Sequence, residues 1–169
     1  YGVPCWQFLG GKYRDKVRVY ADTPQPQQPT PEAYAGRVKG RAEMGLTFIK
    51  FDVGIHVLRD VPGTLIGSPS PYDYKLGHAG RRQAKGLVGA QITDRGIERL
   101  CEIVAAVRSA VGPELPLAID HFGPISVKDA IRIGNAVERY NLSWLEDMLP
   151  WTDVEGNRLV TRAINTPTL

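Results

Sequence analysis

Two cysteines, at positions 5 and 101 of 169 residues, are too few for a disulfide framework. Cys101 shares one helical face with Ile97, Leu100, Val104 and Val107, so it reads as a packed free thiol rather than a redox group. Charge of one sign is missing as well. The 21 basic residues face 18 acidic ones, a net +3 that gives no case for nucleic acid or an anionic membrane surface as partner. No apolar run approaches the roughly 20 residues that span a bilayer, and no signal-peptide pattern opens the sequence. A cytoplasmic setting is the expectation. Neither G-x-G-x-x-G nor G-x-x-x-x-G-K-[ST] follows a strand-like run, which removes the main support for nucleotide binding.

What is present is alternation. Val17 to Ala21 carries β-branched and aromatic residues and predicts a short strand. A Pro/Gln-rich connector leads to Thr30-Pro31-Glu32, which combines an N-cap hydroxyl, a first-turn proline and an early acid, and predicts a helix running to about Gly45. Phe48 to Val53 reads as the second strand. Thr93 or Asp94 caps a helix to Gly112, and Pro116 to Phe122 is extended. Ser126 with Asp129 resembles a capping box for a helix ending near Asn141. Leu142 to Met148 is the fourth strand, a helix from about Asp153 to Ile164 follows, and Pro167 to Leu169 begins a fifth strand.

Strand and helix thus alternate four times, the pattern of a parallel sheet with helices outside. A doubly wound sheet and a (β/α) barrel both fit. The charged residues decide between them. Asp120 closes the apolar Leu117-Ala118-Ile119, Glu146 and Asp147 follow Trp144-Leu145, and Lys50 and Asp52 end the second strand. A carboxylate on a buried strand needs a compensating partner for its lost hydration. In a barrel these C-terminal strand ends meet at one mouth, so a partial TIM-type barrel, about four βα units, is the expected fold. The stretch 54–92 breaks the rhythm. It is long, rich in Gly, Pro and Ser, and carries His56, Tyr72, Tyr74, Lys75, His78, Arg81 and Arg82; a lid over the mouth and a solvated or intersubunit loop both fit it.

The ordered set "GVPCWQFLGGKYRDKVRVYA", "FIKFD", "AIDHFG" and "WLEDMLP" resembles the enolase superfamily, in its mandelate racemase/muconate lactonizing branch, which includes acid-sugar dehydratases. The resemblance covers nearly the whole chain outside the long insertion. It implies residues 1–16 as a junction from a capping domain and 17–169 as the first half of the barrel domain. It also implies Mg²⁺ as cofactor, a small carboxylate substrate such as a sugar acid, and a homo-oligomer. The implied chemistry is removal of the proton α to the carboxylate, giving an enediolate, most simply as a lyase dehydrating the sugar acid. A racemase, epimerase or cycloisomerase on the same scaffold is the alternative, and a non-catalytic subunit retaining the fold is a third.

Such an intermediate demands a hard cation with open coordination positions. The resemblance assigns Asp120 as first metal ligand and Glu146 as second; the alternative is that either acid caps a helix or pairs with a lysine. Asp147 is doubtful, because a strand sends adjacent side chains to opposite faces. Lys50 matches the first lysine of the family's K-x-K motif, which implies contact with the substrate carboxylate or tuning of its neighbour. Asp52 stands where the second lysine, the usual base, belongs. A carboxylate beside a divalent cation is a poor base for an α-proton, so Asp52 is expected to bind substrate hydroxyls, to orient Lys50, or to form a structural ion pair. His121 follows Asp120 directly, whereas the family places Asn or His two residues after that ligand, here Phe122. Its titration range suits an acid for a departing hydroxyl.

Overall fold

The fold was analysed in a computed structural model that describes residues 1–67, 91–120, 122 and 125–169. Its strands are β1 (Ala21–Thr23), β2 (Ile49–Asp52), β3 (Leu65–Ile66), β4 (Gln91–Ile92), β5 (Leu117–Asp120) and β6 (Trp144–Leu145), and its helices are α1 (Pro31–Glu43), α2 (Asp94–Val111), α3 (Val127–Val137) and α4 (Val154–Ala163).

Each helix starts where a short oxygen-bearing side chain satisfies an orphan backbone N–H. Thr30 Oγ1 accepts from Ala33 N at 3.2 Å, Thr93 Oγ1 from Gly96 N at 3.1 Å, Ser126 Oγ from Asp129 N at 3.1 Å and Asp153 Oδ1 from Gly156 N at 3.0 Å. Such caps contribute about 1 kcal/mol each. After α1 the chain turns through Gly45, whose φ of 87° suits only a residue without Cβ.

The main sheet runs β1-β2-β5-β6, every neighbouring pair parallel. Each strand adds beside the one before it among these four, without the reversal of a doubly wound sheet. A parallel bridge from Leu145 to Thr168 starts a fifth position in the same direction. The fold is therefore a partial (β/α) barrel.

Two strands depart from their expected bounds. The β-branched run Val17 to Tyr20 precedes the sheet, with Val17 and Val19 exposed; pairing begins only at Ala21, opposite Ile49. Within that run the Arg18 guanidinium donates to Thr47 Oγ1 at 2.9 Å. The fourth strand shrinks to Trp144–Leu145, because Asp147 takes a left-handed φ of 52° and ends the extended run. Leu142 and Met148 remain buried on either side of it.

Alternation sends Ile49, Phe51, Leu117, Ile119 and Leu145 to the helix side, where they pack in one cluster with Tyr34, Val38, Leu100, Ile103, Val104, Val107 and Ile133. Complete burial of a Phe or Leu of this kind stabilises by roughly 1.5–3 kcal/mol. Cys101 lies in this cluster, and burial raises its thiol pKa, in keeping with an inert packed group. Of the insertion, the described ends are ordered into the fold. Ile55, Val57 and Leu58 are buried, β3 and β4 pair antiparallel, and a Cβ on Gly96 would lie 2.4 Å from Thr64 O, so α2 starts hard against that clip.

Thr23 is the misfit of the core. It is 1% exposed, and its Oγ1 has no hydrogen-bond partner among the described residues. Valine has the same shape without the stranded hydroxyl, so Thr23→Val is expected to add about 1 kcal/mol. Thermal unfolding should shift up by about 2–4 °C. A lowered midpoint would show that the hydroxyl is satisfied in solution.

Candidate active site

The other face of the sheet carries the charge. Register places Asp22 opposite Lys50, and Asp52 opposite Asp120, while Ala118 faces Trp144. Glu146 lies two residues beyond Trp144 and so projects to the same side. Asp52 and Asp120 end their strands and Glu146 follows its own, at the C-terminal side of the parallel sheet where a barrel gathers its reacting residues.

Lys50 organises them. Its Nζ donates to Asp120 Oδ2 at 2.6 Å and to Glu146 Oε1 at 3.1 Å, with Asp22 Oδ1 at 3.9 Å. Lys50 and Asp120 are 7% and 2% exposed, so this is a desolvated cluster rather than a surface pair. Burial by itself lowers the ammonium pKa, but the hydrogen bonds to Asp120 and Glu146 outweigh it and hold the group above the ordinary lysine range. These two carboxylates favour the charged form of Lys50.

An aromatic layer floors the cluster. Phe48 and Trp144 stack with centroids 4.8 Å apart, and Tyr20 meets both at 6.0 and 5.9 Å. The Lys50 Nζ lies 5.6 Å from the centre of the Tyr20 ring. Trp144 Nε1 donates to Glu146 Oε2 at 2.9 Å.

Of the residues singled out from sequence, Lys50, Asp120 and Glu146 therefore meet directly. Asp52 shares their face beside Asp120, and its backbone carbonyl accepts from the Tyr34 hydroxyl at 2.8 Å, tying the strand end to α1. Asp147 turns away from the extended line, and its N–H donates to Leu169 O at 3.1 Å. His121 lies outside the described residues, as do Tyr72, Tyr74, Lys75, His78, Arg81 and Arg82. His56 sits in the turn Ile55–Val57 and lines a cleft of about 230 Å³ with Gln25, Arg59 and Asp60; Lys50, Asp120 and Glu146 are not among its lining residues.

Sequence reasoning missed two members. Asp22 ends Val19-Tyr20-Ala21 as Asp52 and Asp120 end their strands, and that repetition was a usable signal. Trp144 stands at same-face spacing from Glu146, but an aromatic on a strand reads first as core.

The donor set fits a hard divalent cation in part. Two carboxylates from neighbouring strands converge on one cationic atom, and oxygen is the ligand Mg²⁺ prefers. No group of three His, Cys, Asp or Glu residues able to hold a metal occurs among the described residues.

Residues 33–169 match the model of the family called Enolase C-terminal domain-like. The chain belongs to the enolase superfamily. It is 34% identical over 166 residues to a D-xylonate dehydratase of Haloferax volcanii, covering 98% of this chain and 34% of that protein. It is 31% identical over 169 residues to a D-galactonate dehydratase family member of Pseudarthrobacter chlorophenolicus, covering 98% of this chain and 40% of the relative. The crystal structure of a mandelate racemase/muconate lactonizing enzyme-like protein from Rubrobacter xylanophilus superposes with a TM-score of 0.67 at 27% identity, over 98% of this chain and 40% of that one. The chain thus spans between 34% and 40% of the length of these relatives.

Proposed function

We propose that this chain forms part of a Mg²⁺-dependent lyase that dehydrates a sugar acid. The carrying observation is the convergence of Asp120 and Glu146, from adjacent strand ends, on the single Lys50 ammonium. The names of the curated relatives, D-xylonate and D-galactonate dehydratases, support the substrate class.

Asp120 and Glu146 would hold the cation. When bound, Mg²⁺ supplies Lewis-acid stabilisation of the charge that builds on the carboxylate as the α-proton leaves. Lys50 binds and orients the substrate carboxylate. Asp52, on the same face, accepts hydrogen bonds from substrate hydroxyls. His121, on the evidence of its place after Asp120, protonates the β-hydroxyl as it departs. The aromatic layer of Tyr20, Phe48 and Trp144 lines the floor of the site. Assembly into a homo-oligomer belongs to the same proposal. No described helix is long and apolar enough to cross a membrane.

Incubating the full-length protein with a library of aldonic and aldaric acids, with Mg²⁺ and after chelation, tests the proposal. A 2-keto-3-deoxy acid formed only with the metal is the expected product. Solvent exchange of the α-hydrogen without elimination would replace the lyase with a racemase or epimerase. Absence of both turnover and metal binding would leave a scaffold.

A further inference from the structure

A buried carboxylate needs a partner, and here one ammonium serves two. Asp120 Oδ2 and Glu146 Oε1 lie 2.6 and 3.1 Å from Lys50 Nζ, so oxygens from adjacent strands are aimed at one point. Asp120 is 2% exposed, and without a cation beside it its ionised form would bear its full loss of hydration. No third ligand joins the two acids among the described residues. A divalent cation offered to this pair therefore meets a charge of its own sign already seated on the same oxygens. Lys50 has a second seat within reach. Asp22 Oδ1 lies 3.9 Å from Nζ, on a side chain that is 60% exposed, and the centre of the Tyr20 ring lies at 5.6 Å. Both belong to the β1 side of the cluster, and a shift of about 1 Å on a flexible stem puts the ammonium in hydrogen-bond range of Asp22.

We infer that Lys50 is an internal counter-ion: it occupies the cation position between Asp120 and Glu146, and it must swing to Asp22 before a divalent cation binds there. The inference rests on the reading above, in which these two acids hold Mg²⁺. Lys50 is then a positioning residue with two seats. Between the acids it keeps them paired and aimed while no metal is present. On Asp22 it stands beside the site, released from the acids and available to the substrate carboxylate. Only molecules with Lys50 displaced take up the ion, so the apparent affinity is reduced by that fraction.

Lys50→Met keeps the apolar stem and removes the ammonium. Calorimetric titration of Mg²⁺ into metal-stripped full-length protein reads the outcome. If Lys50 merely orients the acids, its loss weakens Mg²⁺ by roughly 10–100-fold, as losing the partner of a metal ligand does. The inference requires the opposite sign, a tightening by at least about tenfold, because no resident charge has to leave. Thermal unfolding gives a second readout. Lys50→Met without metal should melt below wild type, and saturating Mg²⁺ should raise its midpoint by more than it raises that of wild type, since tighter binding stabilises more. Asp22→Asn changes an exposed side chain and removes the second seat. It should weaken Mg²⁺ at least about threefold in the otherwise unsubstituted protein and clearly less in the Lys50→Met background, the signature of two coupled residues. Equal or weaker Mg²⁺ binding by Lys50→Met overturns the inference, as does an equal effect of Asp22→Asn in both backgrounds. If wild type binds Mg²⁺ and Lys50→Met binds it less well, only the counter-ion role falls. If neither binds it, the proposed function falls as well. Should Lys50→Met not fold, Asp22→Asn alone carries the test, and undiminished Mg²⁺ affinity there overturns the inference.

Discussion

Glu146→Gln in the full-length protein is expected to weaken Mg²⁺ binding by more than about 100-fold, beyond the range seen for partners that merely orient a ligand. Turnover should fall with it by on the order of 10³-fold, since Lewis-acid stabilisation supplies several kcal/mol and about 1.4 kcal/mol is tenfold in rate. The substitution keeps size and shape, so the effect isolates charge and acceptor count. Glu146 now faces two donors, Lys50 Nζ and Trp144 Nε1, one on each oxygen. Glutamine has one acceptor oxygen, so one of these donors must meet an NH₂ group. The stranded donor costs about 1–3 kcal/mol. Asp120 still holds Lys50 at 2.6 Å, which limits the damage to one partner rather than the whole cluster. Calorimetry for metal and the keto-acid assay for turnover check the two limbs. Wild-type affinity in the variant would remove Glu146 from the metal site.

The helical layer was legible in advance because each helix has its own local start signal. Thr30, Thr93, Ser126 and Asp153 all cap as their side chains suggest, and Gly45 follows α1 with the left-handed φ such a stop requires. Strand bounds were less legible. Val17 and Val19 have the right propensity but no partner strand, since pairing starts at Ala21; propensity reports fit to a half-buried pleat, not whether a neighbour is there. At the other end, Asp147 leaves the extended region through a local turn that alternation does not encode.

The charged cluster was legible only as a coincidence of strand ends. Sequence puts Lys50, Asp120 and Glu146 at comparable positions on successive strands, but 70 and 96 residues separate the lysine from its two partners. Their contact depends on register: Lys50 stands level with Ala118, whose small side chain leaves its flank open, and the ammonium reaches one step up to Asp120. The Trp144 bond was hidden for a related reason. Whether an indole is core or donor depends on which atom its N–H meets, and here that atom belongs to a residue two positions along the same face.

Proton transfer gives the second large effect. His121→Asn is expected to lower dehydration by roughly 10²–10⁴-fold, the contribution of a positioned general acid. Asp52→Asn should retain measurable exchange of the substrate α-hydrogen. Loss of the β-hydroxyl needs a proton at the oxygen as the carbon–oxygen bond breaks. Lys50 is a poor source, because its hydrogen bonds to Asp120 and Glu146 stabilise the charged form that would have to give the proton up. Asp52 lies beside Asp120 on the face proposed to hold the cation, and a carboxylate next to a divalent cation is a poor base for an α-proton. Histidine alone among these groups changes charge near neutral pH. Following the substrate α-hydrogen in deuterated solvent by NMR, alongside keto-acid formation, reads the two steps apart. In His121→Asn exchange should outlast elimination, because removal of the α-proton precedes the acid's work. Undiminished dehydration in that variant would take His121 out of the mechanism. Abolished exchange in Asp52→Asn, with Mg²⁺ affinity intact, would instead make Asp52 the base, and would mean that the carboxylate replacing the family's second lysine has taken over its task.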